Sequence, residues 1–386
     1  MQIREGLILL GWLVGWWLLW RVPGLPRAAP ARRARDLDVA DRARSTTVIV
    51  PARNEAASIG ALLGSLARQQ PAPGEVVVVD DGSDDATADL ARSFPGVEVI
   101  AGEPLPEARC APWWHAHGLP AQPSGSRLVF LDADVELADG ALDALLDAHD
   151  HRGGLLSVQP FHRTRRAYEQ LSAPFNIVGM MGVGSASPRP AVPPHGAFGP
   201  CLVTARADYD VVGGHRAVRA DIAEDLALAR RYRDADQPVT VLGGHDLVTF
   251  RMYPDGLGQL IEGWSKNMAT GAGSIPLRRL LLIGGWIACV LMAVQALVGA
   301  LLGGSTTGAL VALVLYAAFV AQWLVMLRQL GTFGWRTAVL LPVPMAAFVL
   351  VFARSAYLTF VRRRVAWRGR TVPVTSGTHD GVAAWR

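Results

Sequence analysis

The chain has little charge for its length and very few cysteines. Lys, Arg, Asp and Glu together make up 18% of 386 residues, against 51% hydrophobic ones, and the mean hydropathy is +0.25. A balance this apolar argues against a purely soluble protein and directs attention to membrane segments. The three cysteines, Cys110, Cys201 and Cys289, have no CxxC or Cys/His spacing, and the last lies in an apolar run. A disulfide framework and a structural zinc site are both disfavoured, leaving three reduced thiols. No basic patch is interleaved with aromatics, so nucleic acid is not an expected partner. No nucleophile–His–acid arrangement is evident either, which sets aside an anchored secreted hydrolase.

What is present falls into blocks. Gly6–Trp20 is apolar and Trp-rich, followed by Arg21, Arg27, Arg32, Arg33 and Arg35. Its length suits a signal-peptide core or a short span, and the small residues of Arg27–Ala31 offer a cleavage site. The tryptophans and the Arg cluster favour an uncleaved amino-terminal anchor over residues 1–22. A Pro/Ala/Arg linker follows at 23–44. From Leu280 to Leu327 there is no charged residue, long enough for two spans broken near Gly303–Thr306. A third apolar stretch, Thr337–Val361, contains Pro342, Pro344 and Arg354 and precedes a basic tail at 362–386. The net charge of +4 and pI near 9.2 come from Arg clusters beside these stretches, the pattern of a cytoplasmic membrane edge.

Between the anchor and the spans, at 45–255, short Val/Ile/Leu runs alternate with helical segments. TTVIVPARNE, EVVVVDDGS and RLVFLDADV each read as a strand running into a polar loop. Runs this short, separated by helices, predict an α/β domain with a mostly parallel sheet buried on both faces. Ligands of such sheets bind beyond the carboxyl ends of the strands. Asp132 and Asp134, two residues apart on a loop leaving a buried strand, are placed to converge on one hard cation, Mg²⁺ or Mn²⁺, with positions left for substrate phosphates. An isolated Asp-x-Asp is usually a solvated loop; the preceding strand and the upstream VVVVDDGSDDAT strengthen the metal reading.

VIVPARNE, VVVVDDGSDDAT, FLDADV and DIAEDLALARRYRDAD together resemble glycosyltransferase family 2, whose catalytic domain has the Rossmann-like GT-A fold. The resemblance implies that Pro51, Arg53, Glu55, Asp80, Asp81, Ser83 and Asp132 bind a nucleotide-diphosphate sugar. It also implies that Asp132 and Asp134 hold the metal, and that the second acid of Glu224–Asp225 is the general base. On its own, Glu224–Asp225 reads equally as an acid pair complementing a helix dipole. GAFGPCLVTARADYDVVGGH, YEQLSAPFN and RMYPDGLGQLIEGWSKNMATGAGS extend the resemblance to bacterial membrane glycosyltransferases acting on carotenoid acids. The reaction expected from this likeness is metal-dependent, inverting transfer of a hexose, with UDP-glucose the preferred donor, to a lipid acceptor such as a carotenoid acid. Polyprenyl phosphate, a sterol-like alcohol and diacylglycerol are alternative acceptors, and a non-catalytic membrane scaffold is the rival of another class.

One position departs from the family. Where relatives carry Gly-Lys before Pro-Trp, this chain reads Cys110, Ala111, Pro112, Trp113, and Arg109 is the nearest substitute cation. The acceptor-side candidates are Gly199, Pro200, His215, Trp264, Lys266 and Asn267, the last three on an expected interfacial helix at 256–279. That helix lacks the Gln-x-x-Arg-Trp of processive synthases, which favours single sugar transfer. Gly213–Gly214 reads either as a loop closing over the donor or as a plain turn, and His245 as a strand-end residue or a further metal ligand. Arg163, Arg165 and Arg166 read as a face toward lipid phosphates or an anionic acceptor, or as a solvated basic surface. Nucleotide sugars are cytosolic, so the catalytic domain is expected on the cytoplasmic side of the cell membrane in a multi-pass protein. Two spans return the chain to the cytoplasm, and Thr337–Val361 is then re-entrant or interfacial, keeping the Arg-rich tail inside.

Overall fold

The computed structural model describes residues 3–27, 36–102, 125–218, 223–273, 275–303, 305–362, 364–367 and 370–373. Chain order begins with helix α1 (Ile3–Leu18), helix α2 (Asp36–Arg44), strand β1 (Thr46–Ala52), α3 (Ile59–Ala67), β2 (Glu75–Asp80), α4 (Thr87–Arg92) and β3 (Val97–Ala101). It continues through β4 (Arg127–Leu131), β5 (Val135–Leu137), α5 (Ala141–Arg152), β6 (Leu155–Gln159), β7 (Phe161–His162), the 3-10 turn Ala167–Ser172 and α6 (Ala173–Val183). Then come β8 (Cys201–Ala205), α7 (Arg206–Val211), α8 (Gly214–Ala217), α9 (Glu224–Asp234), β9 (Val239–Gly243) and β10 (Val248–Phe250). The carboxy-terminal part holds α10 (Leu257–Gly273), α11 (Leu277–Gly303), α12 (Thr306–Leu330), α13 (Trp335–Val339), α14 (Pro342–Ala356) with a π-helical turn to Arg362, and the hairpin β11 (Arg364–Trp367) and β12 (Arg370–Pro373).

Seven strands form the central sheet in the order β3-β2-β1-β4-β8-β6-β9. All neighbours are parallel except β8, which runs antiparallel to both β4 and β6. Successive side chains of a strand face opposite ways, and the core divides accordingly. Val48, Val50, Val129 and Leu131 pack with α3 and α5 on one face, while Ile49, Leu128 and Phe130 pack with Tyr209, Leu228 and Tyr232 on the other. Both faces are covered, so the strands read as continuous apolar runs. A small sheet, β5-β10-β7, lies at the carboxyl edge.

Two parts of the expected 23–44 linker have regular structure. The Gly243 N–H donates to the Pro23 carbonyl and the Leu25 N–H to the Gly243 carbonyl, adding this segment beside edge strand β9, and Asp36–Arg44 is helical. In α2 the Arg42 guanidinium meets Asp143, Asp147 and Asp150 of α5.

Leu277–Gly303, Thr306–Leu330 and Pro342–Arg362 are helical and apolar enough to cross a membrane. Helix α1 packs into the first two, with Gly11 against Cys289 and Gly15 against Trp286 and Gln322, where any side chain would clash. Small residues four apart allow such close approach, and buried polar groups pair across it. Trp286 Nε1 donates to Gln322 Oε1 at 2.9 Å, Gln322 Nε2 to the Trp12 carbonyl at 2.7 Å, and Trp12 Nε1 to the Ala318 carbonyl at 3.0 Å. Helix α14 packs chiefly on α10, the 3-10 turn and α6, with Phe348 tilted on Phe175 at 4.9 Å.

Candidate active site

The site lies where β1, β2 and β4 end. β1 delivers the 53–56 loop and β2 the 81–87 loop, and the two are laced together. Arg53 donates to the Asp81 carbonyl and pairs with the buried Asp81 carboxylate at 3.7 Å. Asn54 N–H donates to Ser83 Oγ at 3.0 Å, and Asp84 N–H to Asn54 Oδ1 at 2.9 Å. Ser83 Oγ–H donates to Asp80, and Glu55 N–H donates to Thr87 Oγ1 at 2.8 Å. Burial opposes ionisation of Asp85, but hydrogen bonds from Thr87 and Ala56 outweigh it and hold the carboxyl below its ordinary range. Five of the expected donor residues, Arg53, Glu55, Asp80, Asp81 and Ser83, therefore meet at the mouth of one pair of strands; Pro51 is buried within β1.

The antiparallel strand β8 assembles the second half. Its pairing with β4 sets Cys201 opposite Leu131, so the residues just before it, Gly199 and Pro200, lie beside the Asp-x-Asp loop. Asp132 N–H donates to the Pro200 carbonyl at 3.0 Å, and Gly199 N–H donates to Asp225 Oδ2 at 3.1 Å. Asp225 sits in the first turn of α9, and its Oδ1 accepts from Leu226 N–H at 2.8 Å. The backbone of Gly199–Pro200 thus bridges Asp132 and Asp225.

Four carboxylates and one ammonium share this space. Burial, then the negative charges of Glu224, Glu55 and Asp225, push the Asp132 carboxyl up to about 7, while the Lys266 ammonium pulls it down. Burial also raises Asp225, against the pull of its two N–H donors and of Lys266. Lys266 reaches these acids from α10, and it is the only lysine of the chain. Like charges held together in a partly desolvated space are a recurrent mark of functional sites.

Among the described residues, no group of three His, Cys, Asp or Glu side chains is arranged to hold a metal ion alone. The donor set nonetheless fits a divalent cation of the hard class. Asp132 and Asp134 are half-buried carboxylates on one loop, and the crowding that disfavours the Asp132 anion is relieved by a positive ion. Mg²⁺ and Mn²⁺ commonly take only one or two protein carboxylates and complete their shell with water and substrate phosphate.

The remaining expectations separate. His215 is buried beneath the sheet, its Nδ1 2.8 Å from the Tyr209 hydroxyl and its ring 4.8 Å from Phe130, a core histidine rather than a surface toward the acceptor. Gly213 and Gly214 form a tight turn into α8, and a side chain on Gly214 would strike the Tyr209 ring, so the plain turn prevails. Trp264 stacks on Phe175 at 4.7 Å and donates to Ser172 Oγ at 3.1 Å, joining α10 to α6. Asn267 is in α10, with its side chain outside the described residues, and Arg109, Cys110, Ala111, Pro112 and Trp113 also lie outside them. His245 lines a different pocket. Cys201 and Cys289 are free thiols, and burial beside Asp132 pushes the Cys201 thiol far up.

One pair was missed by sequence reasoning. Buried Glu169 meets Arg251 at 2.6 Å, and Arg251 N–H donates to the Asp134 carbonyl at 3.4 Å. Burial works against the Glu169 anion, but Arg251 and the N–H groups of Arg165 and Arg166 hold its carboxyl low. The pair braces the Asp-x-Asp loop against the 3-10 turn. Both residues fall in the stretches YEQLSAPFN and RMYPDG, where their opposite charges were the available signal.

A mostly parallel sheet with polar loops and an acid cluster at its carboxyl edge, followed by helices apolar enough to cross a membrane, is the architecture of a GT-A glycosyltransferase. Comparison with known proteins agrees. Glycosyl transferase family 2 matches residues 47–173, and Glycosyl transferase family 21 matches residues 125–380. The 4,4'-diaponeurosporenoate glycosyltransferases of Staphylococcus aureus strains MRSA252 and USA300 are each 34% identical over 340 residues, covering 86% of this chain and 89% of theirs. The chain belongs to this family of glycosyltransferases. The mannosyltransferase PcManGT of Pyrobaculum calidifontis, solved with GDP-Man and Mn²⁺, shares the fold, with a TM-score of 0.53 and 19% identity over 91% of this chain and 95% of that one.

Proposed function

We propose that the protein transfers a hexose from a nucleotide-diphosphate sugar, UDP-glucose by preference, to the carboxylate of a lipid-like acid such as a carotenoid acid. The observation that carries this reading is the meeting of Asp132, Glu55, Glu224, Asp225 and Lys266 between the donor loops and α10. The staphylococcal relatives are named for a carotenoid acid, and the chain's one lysine stands where an anionic acceptor needs a counter-charge.

Arg53, Asp80, Asp81 and Ser83 would hold the nucleoside, and Asp132 and Asp134 an Mg²⁺ or Mn²⁺ ion. Bound there, such an ion supplies positive charge to the departing diphosphate. The anomeric carbon–diphosphate bond breaks with its electron pair leaving on the diphosphate, while an acceptor oxygen forms the new bond on the opposite face, inverting the centre. An acceptor carboxylic acid, with an ordinary pKa of about 4, arrives ionised and needs no base. Asp225, held by Gly199 and Leu226, then orients the acceptor; toward a hydroxyl acceptor its raised proton affinity makes it the base.

The family anchor, catalytic domain and spans are proposed at 1–22, 45–255 and 280–361, with the catalytic domain cytoplasmic and Thr337–Val361 not fully crossing. The packing of α14 on α10 and α6 supports the last point. To test the function, membranes holding the protein are incubated with labelled UDP-glucose and other nucleotide sugars, and labelled lipid is identified by mass spectrometry. A glycosyl ester of a lipid acid, lost in EDTA and restored by Mn²⁺, is the expected product. Undiminished transfer in chelator removes the metal role, and labelling of a lipid alcohol alone removes the acid acceptor.

A further inference from the structure

A pocket with a basic rim lies away from the donor acids. It has a volume of about 570 Å³, and its lining includes Arg163, Arg165, His245, Asp246, Arg328 and Thr332, none of which belongs to the donor or acid set. Three chain segments build it. The 163–165 loop leaves β7, His245 and Asp246 follow β9, and Arg328 stands in the last turn of α12. The junction is fixed by backbone: Thr332 N–H donates to the His162 carbonyl at 2.9 Å, and Thr164 N–H to Thr332 Oγ1 at 2.8 Å.

Its charge is lopsided. Three guanidinium groups, ionised at any ordinary pH, face a single carboxylate, Asp246, which is itself paired with Arg27. Among the described residues, Arg163, Arg165 and Arg328 form no ion pair with an acid. Arg328 alone is accounted for by the carboxy-terminal dipole of α12; Arg163 and Arg165, brought from another part of the chain, are not. The Thr164 hydroxyl donates to the Thr332 carbonyl at 2.9 Å, so the anion-binding donors of the pocket are its guanidinium groups.

Its position says what the anion is attached to. α12 is one of the helices long and apolar enough to cross a bilayer, and the pocket opens at its end. Within a turn of Arg328, Val325 is 43% exposed, and Trp20, at the end of the neighbouring α1, is 56% exposed. Exposed apolar and Trp side chains passing directly into an arginine-lined recess mark the headgroup level of a membrane, and basic recesses between helix ends at that level suit anionic headgroups.

We propose that this pocket binds the phosphate-bearing headgroup of an anionic phospholipid. The site depends on α12 lying in a bilayer and not on the transfer reaction, so it stands or falls separately from the activity. The volume takes a phosphate with its glycerol, while the acyl chains run along the exposed side of α12.

The test uses the full chain in nonionic detergent, with retained phosphatidylglycerol and phosphatidylcholine measured by native mass spectrometry. Wild type is expected to retain phosphatidylglycerol preferentially. The variant R163Q/R165Q/R328Q should lose on the order of a hundredfold in that affinity. R163K/R165K/R328K keeps the charge and should stay within about tenfold of wild type. R44Q/R68Q/R92Q, which removes equal charge from exposed arginines elsewhere on the chain, should bind as wild type does. Equal retention of the two lipids by wild type overturns the proposal, as does an equal loss in the control variant. Displacement of phosphatidylglycerol by an equal concentration of inorganic phosphate overturns the lipid source and makes this a soluble-phosphate site.

Discussion

Replacing Asp132 by Asn should stabilise the unliganded protein while abolishing its activity. The carboxyl moves from the ordinary 3.8 to about 7, and at 1.36 kcal/mol for each tenfold change in proton affinity, the buried anion costs about 4 kcal/mol at most. Reorganisation of solvent around a half-buried group reduces this to about 1–2 kcal/mol. The sign follows from proton linkage. Between about pH 4 and 7 the folded chain holds the proton and the unfolded chain does not, so stability falls as pH rises and the full cost is present at pH 8. The asparagine variant carries no such charge. In detergent with EDTA and no donor, D132N should melt about 2–8 °C above wild type at pH 8, and the gap should close toward pH 4. Its transfer activity should fall on the order of a thousandfold. A variant that melts below wild type at pH 8, or a gap that does not change with pH, would refute the burial and crowding of charge from which the prediction is built.

Three further outcomes are expected. D225N should reduce transfer to a hydroxyl acceptor by about a hundredfold or more yet leave ester formation within about tenfold, measured by supplying the same membranes with a lipid alcohol and a lipid acid. K266M, which removes the chain's one lysine from the neighbourhood of Asp132 and Asp225, should raise KM for an acid acceptor by about 10- to 100-fold and leave donor hydrolysis nearly intact; equal loss of both assigns Lys266 to the donor. G15L should separate α1 from Trp286 and Gln322 and lower stability by about 1–3 kcal/mol, read as a lower melting temperature with unchanged KM for the donor.

The strand-and-acid grammar of the catalytic domain was legible because its parts are local. A run such as VVVVDD states its burial and its loop in consecutive letters, and the acids it carries do meet in space. Where the reading strayed, a long-range fact decided. His215 follows two glycines in a motif-rich stretch, but whether its ring meets substrate or Phe130 depends on which face of the sheet α8 covers. The reversed direction of β8, which brings Gly199 to Asp225, has no mark in CLVTA itself. The Glu169–Arg251 brace joins residues whose spacing carries no period.

The strip Trp20–Leu25 leaves α1 and is hydrogen-bonded straight onto the rim of the sheet at Gly243. A tether of flexible residues would let a catalytic head swivel above its membrane; a backbone riveted at both ends does not. With α1 in a bilayer, as proposed, the angle at which the cleft meets the lipid surface is set by this backbone join. On the proposed reading, an acceptor dissolved in the leaflet meets a cleft of fixed tilt and docks sideways.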